Sequence, residues 1–156
     1  MSVELTPNGT RGWEMPRLPG FVVSAMLGLM VLAYRLLGDR MRVWGQRLVL
    51  LTTVGAKTGK RRRTLLARFP DGDSWLVVAS FAGSARHPAW LINMAKNPDQ
   101  VWIEIGGRTL KVRPESLTGT ERDEAFQRVI ATAPGYAGYQ EKTDRQIPIV
   151  RLSPSE

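Results

Sequence analysis

A short segment of the chain brings two glycines and five cations together. Gly55 and Gly59 bracket a turn, and five Lys or Arg side chains fall within seven residues: Lys57, Lys60, Arg61, Arg62 and Arg63. Glycine permits positive φ and a close approach of backbone N–H groups to a ligand. Arginine offers planar, bidentate donors to phosphate or carboxylate, and lysine offers a mobile point charge. The segment therefore predicts a loop that binds a polyanion.

The same segment has two other interpretations. Runs such as KRRR are common in nucleic-acid-binding patches, but aromatic residues are few nearby and the flanking strands are apolar, so nucleic acid is not expected as a partner. A charged turn that contacts only solvent remains open on the residues alone.

The rest of the composition narrows the chemistry. The 156-residue chain has no cysteine and one histidine, which excludes thiol catalysis and disulfides and leaves no metal site to expect. The net charge of +8 is uneven, because residues 1–70 hold 12 Lys/Arg against 3 Asp/Glu, whereas residues 71–156 hold 10 against 11. The excess lies in the N-terminal half and indicates an anionic partner there.

The elements that position this loop begin with an N-terminal segment. Residues 1–20 carry three prolines and three glycines without apolar periodicity, and we expect an irregular arm. Residues 21–44 predict an apolar helix, uncharged from Phe21 to Tyr34 and followed by four arginines. Such a helix either contacts a membrane surface through residues 21–47 or packs on the domain or at a dimer seam, and both interpretations remain open. A full membrane span is the least favoured interpretation, because the apolar run is at the short limit for one.

Residues 45–156 predict one domain in which short strands are interrupted by helices. Hairpin signals occur at Pro-Asp-Gly-Asp (70–73) and Gly-Gly (106–107), and the apolar run LVVAS predicts a buried central strand. Strands are predicted at 49–54, 63–69, 75–81, 101–105, 109–113 and 147–152, and helices at 88–97 and 118–134. The helix at 118–134 is expected to have a hydroxyl cap. This pattern favours an α+β domain built on a small barrel over a Rossmann domain.

Three motifs, in this order, carry a resemblance to a known family. LLTTVGAKTGKRRRT, VVASFAGSARHPAWLINMAKNP and PGYAGYQEKTDRQIPIV together resemble the deazaflavin-dependent nitroreductases, also called F420H(2)-dependent quinone reductases, over residues 45–153. The resemblance implies an α+β split β-barrel of the flavin-reductase or pyridoxamine-phosphate-oxidase type. It also implies an oxidoreductase that uses coenzyme F420, a deazaflavin with a phosphate and a glutamate tail. FMN, with one phosphate, needs fewer cations and is the less favoured cofactor.

The resemblance assigns residues of this chain to three parts of a site. The phosphate and tail of the cofactor fall to Lys57, Thr58, Gly59 and Arg62, with Lys60, Arg61 and Arg63 as auxiliaries. The deazaflavin ring falls to Val78, Ala79, Ser80, Ala89, Trp90 and Asn93. The candidates for hydrogen bonding or proton donation to the substrate are Ser80, Tyr136 and Tyr139.

The activity implied by the resemblance is hydride transfer from reduced F420 to a small electrophile, namely an activated alkene such as an enone, a quinone or a nitro compound. The protein is expected to bind, orient and polarise, because it has no cysteine or metal ligands of its own. Four positions depart from the family pattern. Ala56 and Phe81 stand in place of basic residues, and Ala67 and Ala133 in place of aromatic ones, which disfavours nitroimidazole reduction.

Two further expectations concern location and an alternative function. We expect a homodimer that is either free in the cytoplasm or loosely attached to the inner face of the cell membrane, and in the second case the N-terminal helix would make the attachment. A second function stays open, in which the same barrel binds a fatty acid or another apolar ligand without turnover. The lone His87, which precedes Pro88, is expected in a turn or helix cap rather than in catalysis.

Overall fold

The computed structural model describes residues 2–14, 16–43 and 45–155, so Met1, Met15, Trp44 and Glu156 lie outside the described residues. The helices are α1 (Gly20–Leu37), α2 (Ala89–Lys96), α3 (Gly119–Thr132) and α4 (Gly135–Lys142). The strands are β1 (Arg42–Val43), β2 (Gln46–Val54), β3 (Arg61–Ala67), β4 (Phe69–Asp71), β5 (Ser74–Val78), β6 (Trp102–Ile105), β7 (Arg108–Ser116) and β8 (Ile149–Pro154). Short 3-10 turns follow α1 (Gly38–Arg40) and β5 (Phe81–Gly83).

The eight strands form one antiparallel sheet in the order β1-β2-β6-β7-β8-β5-β4, and β3 pairs with β2. Both predicted hairpins are confirmed, since Asp71 pairs with Ser74 and Ile105 with Arg108 around two-residue turns. The predicted strand 63–69 is wrong in one respect, because it is two strands. At Arg68 the guanidinium turns inward to the Leu48 carbonyl and to Asp39, so only β4 enters the hairpin.

Helices cover both faces of the sheet, which explains why the central strands are apolar throughout. In β5, Val77 packs in a core with α2, β2 and β8, whereas Leu76 and Val78 pack in a second core with α3 and α4. In β2, Val49 and Leu51 join the first core, whereas neighbouring side chains face α1. Successive side chains of a strand point to opposite faces, so each strand serves two cores. The prediction that LVVAS is a buried strand inside the sheet is confirmed for Leu76, Val77 and Val78, since β5 lies between β8 and β4. It is wrong for Ala79 and Ser80, which follow the end of β5, and Ser80 is only half-buried.

The predicted apolar helix exists, but it ends at Leu37 and does not extend to 44. Gly38 has a φ of +56° and donates its N–H to the Tyr34 carbonyl, which ends the helix. By length and composition alone, the segment Gly20–Arg40 could cross a membrane. Its inner face packs on the domain, where Tyr34 and Val31 are buried and the Tyr34 hydroxyl lies 3.0 Å from the Leu48 carbonyl.

The segment that follows β7 contains one expected helix and one that was not predicted. The inner face of α3 carries Ala125, Phe126 and Val129, as its apolar period predicts. The expected hydroxyl cap is wrong, because Thr118 makes no side-chain hydrogen bond at the start of α3. The motif PGYAGYQ forms α4, a helix that apolar periodicity does not reveal because it contains two glycines.

Candidate active site

A cleft of about 980 Å³ lies between α1, β3, α2, α4 and the loop that follows β5. Its volume is at the upper end of the range for ligand sites, roughly 300–1,000 Å³. The described residues that line it include three cations, Lys57, Arg62 and Arg63, and no Asp or Glu. The remaining lining is mostly apolar or aromatic. The cleft thus has one cationic part and a larger apolar part.

The cationic loop between β2 and β3 is a tight turn that needs each glycine for a different reason. Gly59 has a φ of +69°, where a side chain is strained. A Cβ on Gly55 would lie 2.6 Å from the hydroxyl oxygen of Thr58. The Gly55 N–H donates to the Lys60 carbonyl at 2.8 Å, and the Gly59 N–H donates to the Gly55 carbonyl at 2.9 Å. These bonds fix the shape of the loop.

Asn93 ties this loop to helix α2. Its side-chain oxygen accepts from the Ala56 N–H at 2.9 Å, and its side-chain nitrogen donates to the Thr53 hydroxyl at 3.3 Å. One turn later, Asn97 donates to the Val54 carbonyl at 3.2 Å. Asn93 lines the cleft, as its predicted role requires. Its hydrogen bonds also give it a second role, which is to hold the cationic loop in place.

The cations of this loop make none of the ion pairs found in residues 2–14, 16–43 and 45–155. Their side chains are exposed. Arg61 differs from Arg62 and Arg63 because it leaves the cleft, and its guanidinium carbon lies 4.5 Å from the centre of the Trp102 ring. Of the predicted tail-binding residues, Lys57, Thr58, Arg62 and Arg63 line the cleft, whereas Gly59, Lys60 and Arg61 do not.

The residues predicted at the deazaflavin ring come from the end of β5 and from α2. Val78, Ser80, Ala89 and Trp90 line the cleft. Ala79 does not, because its side chain is fully buried in the core on the opposite face of the sheet. The cleft therefore has an apolar wall with one hydroxyl at Ser80.

The loop after Ser80 has an unusual backbone. Phe81 and Ala82 both line the cleft and have φ values of 44° and 52°, which are uncommon for residues with a side chain. Each such residue costs on the order of 1–3 kcal/mol and persists only where its surroundings hold it.

Arg145 holds this loop, and sequence reasoning did not identify it. The residue is 1% exposed and donates to the carbonyls of Ala79 (3.1 Å), Ser80 (3.0 Å) and Ser84 (3.0 Å). Burial lowers its pKa to about 10, so it stays charged at neutral pH. The same guanidinium donates to His87 Nδ1 at 3.0 Å. The motif TDRQIP contained the signal, but its spacing does not reveal burial.

His87 completes this network as a neutral imidazole. Burial is the main cause that lowers its pKa; the hydrogen bond with the Thr6 carbonyl opposes this effect, and the charge of Arg145 lowers the pKa a little further. Because arginine can only donate, Nδ1 must accept, and Nε2 then donates to the Thr6 carbonyl. The expectation that His87 serves structure in a turn agrees with these contacts.

Two tyrosines on α4 face the apolar part of the cleft. The rings of Tyr136 and Tyr139 meet edge to face with centroids 5.7 Å apart, and Phe69 makes a similar contact with Tyr136. Burial, with a smaller contribution from Tyr139, raises the pKa of Tyr136 to about 12, and burial also raises the pKa of Tyr139. Both are therefore neutral phenols at neutral pH, able to donate a hydrogen bond.

The long side of the cleft follows one edge of the sheet. Six consecutive residues of β3, from Arg62 to Ala67, line it. Neighbouring side chains of a strand point in opposite directions, so such a run means that the cleft runs along the strand edge rather than over one face. Among the described strands, β3 pairs only with β2, which leaves that edge open.

The sheet and its cation-edged cleft define the class as a split β-barrel that binds an anionic cofactor, and this confirms the predicted α+β split barrel. The chain belongs to the F420H(2)-dependent quinone reductase family, whose pattern it matches over residues 32–154. It is therefore an oxidoreductase, and its cofactor is coenzyme F420. The unpaired cations beside a glycine-built loop fit the phosphate and carboxylates of that cofactor.

Three relatives illustrate this membership. The F420H(2)-dependent quinone reductase Rv1261c of Mycobacterium tuberculosis is 39% identical over 108 residues, 67% of this chain and 72% of that protein. The F420-H2 dependent reductase FDR-A is 37% identical with a TM-score of 0.61, over 68% of this chain and 93% of the other. A structure described as a domain-swapped dimer is 32% identical with a TM-score of 0.62, over 83% and 99%.

Proposed function

We propose that this oxidoreductase reduces a quinone, and that Lys57, Arg62 and Arg63 bind the phosphate and carboxylates of its cofactor. The observation that carries this proposal is the cleft itself, which holds three cations without an ion pair and no acidic residue in its described lining. An anion with several charges satisfies such a cluster. Lys60 and Arg61 lie outside the lining and add long-range attraction that salt screens.

Thr58 and Gly59 shape this part of the site. The Thr58 hydroxyl oxygen accepts from the Lys60 N–H at 3.3 Å and keeps its own proton to donate to a phosphate oxygen. The φ of +69° at Gly59 makes the turn in which Thr58 points into the cleft. We propose that these two residues position the phosphate.

When bound, reduced F420 supplies the hydride, which is a two-electron step. Val78, Ala89 and Trp90 form the apolar wall proposed to hold its ring, and the Ser80 hydroxyl lies at the edge of that wall. Ala79 acts indirectly, through the carbonyl that Arg145 fixes. A dry, preorganised wall strengthens the hydrogen bonds that the protein makes to the reacting groups.

Tyr136, Tyr139 and Ser80 are the proposed donors to the substrate. Reduction of a quinone carbonyl places negative charge on its oxygen, and a neutral phenol can donate to that oxygen. Because the pKa of Tyr136 is raised to about 12, it remains a donor throughout the neutral range. A donor placed in this way is worth about 2.7–4 kcal/mol in known oxyanion sites.

A quinone is favoured over the other electrophiles because the family to which the chain belongs is one of quinone reductases. Enones share the electron-poor carbon conjugated to a carbonyl, and they remain substrates in this proposal. Nitro compounds are the less favoured class. The family resemblance implies aromatic residues at two positions that are alanine in this chain. Ala133 is buried in the second core outside the cleft lining, and Ala67 lines the cleft with a small side chain.

The decisive experiment is anaerobic oxidation of reduced F420, followed by its absorbance, with a quinone, an enone and a nitroimidazole in parallel. We expect turnover with the quinone, slower turnover with the enone and the least with the nitro compound. Reduced FMN and NADPH serve as control donors and should not support turnover. Absence of oxidation with all three acceptors would contradict the proposal.

A second candidate function is supported by the apolar part of the cleft, where Val23 and Met30 of α1 join the lining. A protein that only stores a fatty acid or another apolar ligand would use this part without the cations. Displacement of a fluorescent fatty acid, with F420 as competitor, separates the two functions. A storage protein would bind the fatty acid tightly and leave F420 unbound.

The outer face of α1 is proposed to contact the inner surface of the cell membrane, with the domain in the cytoplasm. Phe21, Leu29 and Leu36 are 78%, 69% and 77% exposed there. Arg40 and Arg42 follow the helix and can meet anionic headgroups. Flotation with anionic and with zwitterionic vesicles tests this contact. A homodimer is the competing use of the same face, and sedimentation of the free protein detects it.

A further inference from the structure

The arm at the start of the chain is irregular, as predicted, yet it is held along much of its length. Val3 is buried in the first core, the one that contains Val77, and the Ser2 carbonyl accepts from the Ser116 N–H at 3.1 Å. Further along, the Gly9 N–H donates to the Ala85 carbonyl at 2.8 Å, and the Trp13 N–H donates to the Gly83 carbonyl at 3.0 Å. The arm therefore runs beside the loop that carries Phe81 and Ala82.

Asp144 fastens the arm midway. Its carboxylate accepts from the backbone N–H groups of Thr10 (2.7 Å) and Arg11 (3.2 Å) and from the Thr10 hydroxyl. Arg11 in turn donates to the Glu141 carbonyl at 3.1 Å. One side chain thus fixes two successive residues of the arm, only two positions before Trp13.

The arm lies against the loop with no space between them. A Cβ on Gly12 would lie 2.4 Å from the Ala85 nitrogen and 2.6 Å from the Gly83 carbonyl oxygen. Both atoms belong to backbone, so neither can move aside cheaply. The residue before Trp13 must be glycine for the arm to follow this course, and the course determines where the next side chain goes.

The side chain of Trp13, the residue after Gly12, lies in the cleft. Trp13 lines it and is 38% exposed, which is high for a large aromatic residue in a part of the chain fixed by hydrogen bonds. Phe81 and Ala82, which immediately precede the Gly83 that binds the arm, line the cleft as well. Residues 2–14 lie outside the family match, which begins at residue 32. The arm thus adds one more aromatic side chain to those that the matched region contributes to the cleft.

We infer that Trp13 is a specificity-determining residue that selects quinones with a flat, fused-ring system. This inference rests on the proposed function and adds the choice among quinones to it. An indole stacks on a two-ring quinone over more area than on a single ring, and aromatic pairs gain energy beyond burial. Asp144 and Gly12 are positioning residues, because they act through the placement of Trp13.

The test compares Trp13→Ala and Trp13→Phe with the unmodified enzyme on 2-methyl-1,4-naphthoquinone and its one-ring counterpart 2-methyl-1,4-benzoquinone. Comparing each quinone across variants cancels the difference in their intrinsic reactivity. For Trp13→Ala we expect kcat/KM to fall about 2- to 12-fold for the two-ring quinone, the range that corresponds to one aromatic pair, mainly through KM. The one-ring quinone should change little, and Trp13→Phe should lie between.

A binding measurement gives a readout apart from turnover. Calorimetry of the two-ring quinone with protein that holds oxidised F420 should show the same loss of affinity in Trp13→Ala. Leu5→Ala is the matched control, since Leu5 is an exposed apolar residue of the same arm that does not line the cleft. It should leave both quinones unaffected.

Detaching the N-terminal arm from Asp144 should reproduce the loss of kcat/KM for the two-ring quinone. Asp144→Asn, with the exposed Asp99→Asn as control, should weaken selection for the two-ring quinone. The double variant Trp13→Ala with Asp144→Asn should be no worse than Trp13→Ala alone.

Equal effects of Trp13→Ala on both quinones, or no effect on either, would overturn the inference while turnover by the unmodified enzyme upheld the proposed function. Loss of turnover with every quinone in the unmodified enzyme would instead overturn the proposed function. The two failures are therefore distinguishable.

Discussion

Arginines on two sides of the cleft contrast sharply in their surroundings. Arg62 is exposed at the start of β3 and forms none of the ion pairs in the described part of the chain. Arg145 is almost fully buried and donates to three carbonyls and one imidazole. Arg122 resembles Arg145, because its guanidinium donates to the Ile147 carbonyl and to Gln140. The same residue type thus supports the architecture in one place and is proposed to bind the cofactor in the other.

Both arginines carry the same charge. What separates the binding role from the structural role is whether the N–H donors of the guanidinium already have acceptors within the protein. A buried guanidinium is stable only when carbonyls or carboxylates accept from it. An exposed one with no partner is free to bind an anion. Four measurements test this division between structural and binding side chains.

Replacement of Arg145 should have the largest effect. Arg145→Ala removes the side-chain donor to the buried Ala79 and Ser84 carbonyls, whereas the Ser80 carbonyl keeps the Gly83 N–H. It also frees the strained loop at Phe81, so unfolding free energy should fall by about 3 kcal/mol or more. Urea denaturation measures this loss, with the exposed Arg113→Ala as control. A loss similar to that of the control would break the comparison, since Arg145 would then be dispensable to the fold.

Reversal of the cleft cations should affect binding and spare the fold. Each charge-assisted bond to the cofactor is worth about 1.5–3 kcal/mol, so Arg62→Glu should weaken F420 binding by about 10- to 150-fold. Fluorescence titration of F420 measures the affinity, and urea denaturation should show no change. Arg108→Glu, an exposed charge in a hairpin remote from the cleft lining, is the matched control. Equal weakening in both variants would mean that only net charge matters.

The pH dependence of stability should report on the buried network. The folded-state pKa of His87 lies below its ordinary value of 6.5, so the unfolded chain binds the extra proton more readily. The contribution of His87 to stability is therefore complete above pH 6.5 and is lost as pH falls below it, toward the folded-state pKa. Urea midpoints from pH 8 to 5 measure this slope. His87→Gln, which does not titrate, should flatten it, and an unchanged slope would assign it to other groups.

Replacement of Arg61 should have the smallest effect on stability and on cofactor binding. The residue is part of the cationic run in the sequence, but its guanidinium stacks on Trp102 of the sheet and does not line the cleft. Its stacking on Trp102 is worth about 0.5–1 kcal/mol at an exposed site. Arg61→Ala should therefore lose about that much unfolding free energy and bind F420 with little change in affinity. A loss of F420 affinity as large as that of Arg62→Glu would mean that Arg61 also binds the cofactor directly.

The sequence predicts the parts of this molecule that local chemistry determines. Hairpin turns, the two-sided apolar strand β5 and the glycine-bounded loop all follow from residue type and period. The placement of Lys57, Arg62 and Ser80 around one cleft agrees with what the family resemblance implied. Such features depend on short-range backbone preferences that a few residues express.

What the sequence conceals depends on contacts between distant segments. Arg145 and Arg62 are both arginine in the sequence, and only the fold shows that the Arg145 guanidinium is surrounded by backbone carbonyls. Trp13 lies in an arm without periodicity, and its place is set by Gly12 and Asp144, the latter 131 positions away along the chain. The division of the strand at Arg68 has the same origin, because a buried guanidinium interrupts an otherwise regular apolar pattern.

The open edge of β3 has a consequence for solubility. A strand with a free row of N–H and C=O groups is a template on which another copy can pair, and this is a common start of aggregation. Three successive arginines at the beginning of β3 place like charges where two such edges would meet, so they repel. The charges proposed to bind the cofactor are therefore also expected to disfavour pairing between the open edges of chains that do not yet hold it.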